Sequence, residues 1–71
     1  MWYEVNVELN NKFYNSFIVF AHDEEEAEET IAVNEPRDYE GSYSTANFTA
    51  CEYSGNTESY DEEVYYLLEV K

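Results

Sequence analysis

A chain of 71 residues is long enough for one domain and too short for two. Its hydrophobic content of 44% and aromatic content of 18% exclude a disordered acidic tail, since eight Tyr and four Phe supply apolar area for a small core. Seventeen Asp and Glu against three Lys and Arg give a formal net charge of −14, which argues against direct binding to nucleic acid or to anionic membranes. Size scaling gives such a chain roughly 4,600 Å² of surface, or about one carboxylate per 270 Å². A net charge of about 2–8 in magnitude is enough to keep a small domain soluble, so the excess asks for a further reason. The only cysteine is Cys51, and no intramolecular disulfide can form. No basic segment follows Met1, and the longest apolar run is Phe17 to Ala21; the sequence reads without a signal peptide or a membrane span, and the expected compartment is the cytoplasm.

Tyr3, Val5, Val7 and Leu9 alternate with Glu4, Asn6 and Glu8, the period of a half-buried strand. Asn10-Asn11, with Lys12 as an optional third residue, suits a tight turn because Asn tolerates the left-handed conformation. Phe13 to Ala21 reads as a second strand, and its run Phe17-Ile18-Val19-Phe20 is apolar on both faces, as in a central or helix-covered strand. Asp23 followed by Glu26 is an acidic form of the capping box and starts a helix over about Glu24 to Val33. Its inner face is expected to carry Ala27, Thr30 and Ile31, with Asn34 at the margin, and Glu35-Pro36 ends it. Arg37 to Ser44 reads as a loop, and about Thr45 to Tyr53 as a third strand. Ser54-Gly55-Asn56 starts a turn that extends toward Ser59. The last strand is expected over about Glu62 to Val70, with Val64, Tyr66, Leu68 and Val70 on one face and Glu63, Tyr65, Leu67 and Glu69 on the other. The fold class that follows is α+β: a four-stranded antiparallel sheet with one helix packed across it, in the order ββαββ, over a single domain spanning residues 1–71.

Candidate binding residues are the acids and the tyrosines set among them. On a helix, Glu24 lies one turn from Glu28 and Glu25 one turn from Glu29, about 6 Å along the axis, so two rows of carboxylates form behind Asp23. Each like-charge pair of this kind costs roughly 0.2–0.5 kcal/mol, and a solvated helix face is the plain alternative for the run taken alone. The acidity continues through Glu35, Asp38 and Glu40, and again at Glu58, Asp61, Glu62 and Glu63, with a row of Glu4 and Glu8 on the first strand. Tyr39, Tyr43, Tyr60 and Tyr65 are interspersed, as anchors where carboxylates would steer a partner or as members of a small core. Catalysis has little to rest on: His22 stands alone at the helix entrance, and Cys51 reads as a small buried strand residue. No Ca²⁺-loop pattern occurs, so no cofactor or specific metal is expected.

In size, charge and architecture the whole chain resembles the short acidic inhibitors that bacteriophages make against host DNA-targeting defences: anti-restriction proteins, anti-CRISPR proteins and other DNA mimics. The residues that carry the resemblance are Asp23 to Glu29, Glu35 to Glu40 and Glu58 to Glu63. It implies a non-catalytic inhibitor, working in the host cytoplasm, that occupies the basic nucleic-acid site of a nuclease or effector complex. The first half, from Tyr3-x-Val5-x-Val7 to Ala27, also resembles the hairpin-plus-helix pattern of many small phage and mobile-element proteins. Two other readings stand beside charge mimicry. One is an ordinary interaction module that uses a sheet edge and a tyrosine patch, with acidity for solubility only; the same edge can build a homodimer. The other is adaptation to high internal salt. An enzyme is the class with least support.

Overall fold

The computed structural model describes residues 1–35 and 46–68. In chain order the elements are β1 (Trp2–Leu9), β2 (Lys12–Phe20), α1 (Glu24–Asn34), β3 (Ala46–Glu52) and β4 (Tyr66–Leu68). The fold is α+β, with all strand pairs antiparallel and the sheet ordered β3-β1-β2-β4. The β1–β2 hairpin closes at Asn10 and Asn11, whose φ angles of 52° and 66° are the two left-handed residues of a type I′ turn. Asn meets this demand at low cost because its short polar side chain tolerates that region.

One face of the sheet holds the main core. Tyr3, Val5, Val7 and Leu9 of β1 meet Phe17 and Val19 of β2 and Ala50 of β3, and Ala27 and Ile31 of α1 close over them. The helix buries only those two residues; Thr30 is half-buried and Asn34 exposed, so the inner face is narrower than the sequence periodicity suggests. Asp23 caps α1 by accepting the Glu26 N–H at 2.8 Å. The reciprocal half of a capping box is missing, because the Glu26 carboxylate turns to His22 Nδ1, 2.9 Å away. At the other end Glu35 is extended, with φ −134° and ψ 152°, as the residue before a proline prefers.

The opposite face is covered as well, though by a different device. Ile18 is fully buried there, outside the main core cluster. Beside it Trp2 packs edge-on against Phe20, Tyr60 packs on Trp2, and Tyr66 stacks on Tyr60 with ring centroids 4.6 Å apart. The Tyr66 hydroxyl accepts the Asp61 N–H at 2.8 Å and so ties the preceding turn to the sheet. Ser16, also buried on this face, donates to the Asn6 side chain.

Several expectations need correction. The strand expected from Glu62 shrinks to Tyr66–Leu68, because Asp61 to Val64 form a turn closed by Val64 N–H to Asp61 C=O at 3.2 Å; residues 69–71 lie outside the described part. Of the alternatives open for Tyr60 and Tyr65, the packing role is the one seen: both are half-buried, Tyr65 edge-on to Phe17 at 5.7 Å, while Tyr66 faces the aromatic cover with Ile18 as its register partner. Cys51 is exposed, because it sits on the helix-free face of an edge strand. The β1–β2 register shifts at Val7/Glu8, where Tyr14 is the extra residue of a bulge.

The turn's attachment gives a direct test. Tyr66→Phe keeps the stacked ring but strips the Asp61 N–H of its acceptor. Chemical denaturation should show a loss of about 0.5–1.5 kcal/mol. No change in the midpoint would mean that the tie contributes nothing.

Candidate acidic binding surface

The acids expected to form the surface divide into those occupied locally and those left facing solvent. Asp23 is the helix cap, and the Glu26 carboxylate is taken up by His22 Nδ1 at 2.9 Å. Glu28 is half-buried and reaches the edge of the sheet, where its Oε2 accepts the Ala50 N–H at 2.9 Å. That bond takes up an outward-facing backbone donor of edge strand β3, which would otherwise be open to pairing with another chain. Asp61 accepts the Glu63 N–H at 2.8 Å within its turn.

Glu24, Glu25 and Glu29 of α1 are all exposed, with Glu24 close enough to the sheet to act on Tyr3 and Cys51. The row of Glu24 and Glu28 expected from helical spacing is therefore split in role: one faces solvent and the other is turned to β3. Glu58, Glu62 and Glu63 project from the turn region, which is ordered by Glu58 N–H to Asn56 Oδ1 and Tyr60 N–H to Thr57 C=O. Glu4 and Glu8 lie on the helix-free face of β1, paired in register with Cys51 and with Asn47 of β3. Exposed Phe13 stands across from Glu8 on β2. Glu35 accepts the Tyr65 hydroxyl at 3.4 Å. Asp38, Tyr39, Glu40 and Tyr43 fall outside the described residues.

The structure thus sets acids around the domain on three supports: helix, aromatic-anchored turn and open strand face. The sequence shows their number and rough grouping. It does not show that Glu28 is a packing residue, since only the closeness of α1 to β3 gives it a partner.

Two grooves flank Tyr65. One, of about 290 Å³, runs between the last turn of α1 and the segment 62–65 and is lined by Val19, Phe20, Thr30, Asn34, Glu62, Glu63, Val64 and Tyr65. The other, of about 310 Å³, lies on the far side and includes Tyr14, Phe17, Glu35 and Leu67. Among the described residues no group of three or more His, Cys, Asp or Glu is placed to hold a metal ion. No described helix is long and apolar enough to cross a membrane. Comparisons with protein-family models, curated proteins and solved structures find no match.

The field of the acids is felt by two neighbouring groups. Burial, and then the carboxylates of Glu24, Asp23 and Glu52, push the Tyr3 hydroxyl above its usual range. Partial desolvation, and then Glu4 and Glu24, push the Cys51 thiol up.

Both shifts have measurable consequences. A tyrosine in the unfolded chain ionises near pH 10, before Tyr3 does in the fold, so above that pH the unfolded state holds fewer protons. The stability contributed by neutral Tyr3 is therefore complete below about pH 10 and is lost as pH rises through its raised folded value. Tyr3→Phe should flatten part of the alkaline fall in denaturation midpoint; an unchanged slope would show that Tyr3 titrates normally. At Cys51 fewer thiolates are present at a given pH than in the unfolded chain. Alkylation by iodoacetamide at mildly alkaline pH should be slower in the fold than in denaturant, despite the exposure, and Glu4→Gln should speed it. Equal rates in folded and unfolded protein would contradict the shift.

Proposed function

We infer that this chain is a non-catalytic inhibitor that presents a dense carboxylate surface to the basic nucleic-acid-binding site of a nuclease or defence effector complex. One observation carries the reading. A net charge of −14, from seventeen Asp and Glu against three Lys and Arg, is mounted on a hydrogen-bonded frame. Duplex DNA presents one negative charge per about 1.7 Å of axis, and the proteins that bind it carry matching basic grooves. A rigid anion of this density gains steered association with such a groove and excludes the nucleic acid from it. The reading places the encounter in the cytoplasm of a host cell, as the resemblance to phage-made DNA mimics implies.

The frame explains why rigidity goes with charge. The carboxylates at Glu24, Glu25 and Glu29 ride on a capped helix, and Glu58, Glu62 and Glu63 on a turn pinned by Tyr60 and Tyr66. Little ordering entropy then remains to be spent when the partner docks.

The test is capture from the host cell at low and high salt, identification of the captured protein, and competition with DNA. The captured protein should bind nucleic acid and be displaced by it, and capture should weaken steeply with salt. Two variants then locate the contact: Glu24→Gln/Glu25→Gln/Glu29→Gln, which leaves the Glu28 link intact, and Glu58→Gln/Asp61→Asn/Glu62→Gln/Glu63→Gln. At least one should lose about tenfold in affinity, about 1.4 kcal/mol, chiefly through slower association. Equal binding by parent and both variants at every salt concentration would reduce the charge to a solubility coat and make an ordinary interaction module the better reading.

A further inference from the structure

The groove between α1 and the 62–65 segment is rich in acceptors. Thr30 gives its hydroxyl proton to the Glu26 carbonyl at 2.9 Å, and Asn34 gives an amide hydrogen to the Thr30 carbonyl at 2.7 Å. Their oxygens remain acceptors, and Glu62 and Glu63, both exposed, add two carboxylates at the rim. The groove also lies beside the last turn of α1, which ends at Asn34 and contains no basic residue. The partial negative charge of a helix C-terminus is therefore uncompensated by its own helix on this side. Val19, Val64, Phe20 and Tyr65 supply apolar and aromatic walls. A ligand for this site must bring positive charge, several N–H donors and an apolar stem.

We propose that this groove receives one arginine side chain from the basic partner. The proposal rests on the inhibitor reading given above and adds to it a specific point of engagement. Arginine fits better than lysine on three grounds. Its guanidinium offers five donors to an acceptor-rich site, is more weakly hydrated than an ammonium, and packs favourably on aromatic rings. Its methylene stem can lie along Val19 and Val64 while the head meets Glu62, Glu63 and the helix end. The general field of the protein brings the partner in; the groove holds one residue of it in register.

The experiment uses the full chain and two small probes, N-acetylarginine amide and its neutral isostere N-acetylcitrulline amide, followed by amide chemical shifts. The arginine probe should move the signals of Val19, Thr30, Asn34 and Val64 together and saturably, and the citrulline probe should not. Glu62→Gln/Glu63→Gln should weaken the arginine probe by about threefold or more, as loss of two partly exposed charge contacts implies. The turn is kept in that variant, since only the backbone of Glu63 is tied to Asp61. Glu52→Gln, an exposed acid at the end of β3 outside both acidic clusters, should leave the response unchanged. Shifts scattered equally over α1 would show diffuse charge attraction and overturn the proposal. So would binding that appears only after Arg37→Gln, which would make the chain's own arginine the occupant. If the groove fails while salt-sensitive, DNA-competed capture of a basic partner persists, the inhibitor reading stands and the arginine pocket alone is lost.

Discussion

Strand β2 is apolar on both sides over Phe17, Ile18, Val19 and Phe20, and it pairs with β1 on one edge and β4 on the other. Each face of that segment has to be taken out of water. Burying a large aliphatic or aromatic side chain contributes about 1.5–3 kcal/mol, which a domain this small cannot forgo on either face. The two covers differ because α1 is the one helix among the described residues. Ala27 and Ile31 of α1 close over Phe17 and Val19, while Trp2, Tyr60 and Tyr66 gather around Ile18 and Phe20. Everything else in the fold follows from feeding the chain from the first cover to the second.

That arrangement also determines where the charge sits. An aromatic cover made from a turn rather than a second helix fixes the segment that carries Glu58, Asp61, Glu62 and Glu63, tied by the same Tyr66 that packs over Ile18, and from there Glu62 and Glu63 reach the groove beside α1. On the near side the helix carries its acids at its N-terminal end, where the dipole offsets part of their mutual repulsion. Some carboxylates are consumed locally, as donors' partners: Asp23 on the cap, Glu28 on Ala50 and Asp61 on Glu63. The frame thus uses a few acids to satisfy backbone N–H groups and leaves the others solvated.

Glu28 shows how one carboxylate limits what the surface can do. An acid on the outward-facing backbone of β3 takes one N–H of that edge out of reach of a further strand. The inhibitor reading and the arginine site draw on this one asymmetry: acceptors in excess and cations nearly absent.

Local pattern was enough for the elements whose cause is local. The alternation from Tyr3 to Leu9, the two asparagines of the hairpin turn, the Asp23 cap and the stop before Pro36 each act within a few residues, and each is legible in the sequence. The apolar run of β2 likewise announced a central or helix-covered strand, and β2 is central in the sheet. Tertiary structure decided the rest. The period-2 reading of Glu62 to Val70 holds over Tyr66–Leu68 but not over Glu62 to Val64, where Asp61 and Val64 close a turn that Tyr66 ties to the sheet beside Ile18. Cys51 came to the surface because it lies on the helix-free face of an edge strand, and strand order is not written in alternation. Glu28 and Tyr65 left the acidic shell for the same reason: their partners, Ala50 and Phe17, lie far away in sequence and meet them only through the packing of helix, sheet and turn. Periodicity reports which side of an element is apolar; only the folded chain decides what stands opposite it.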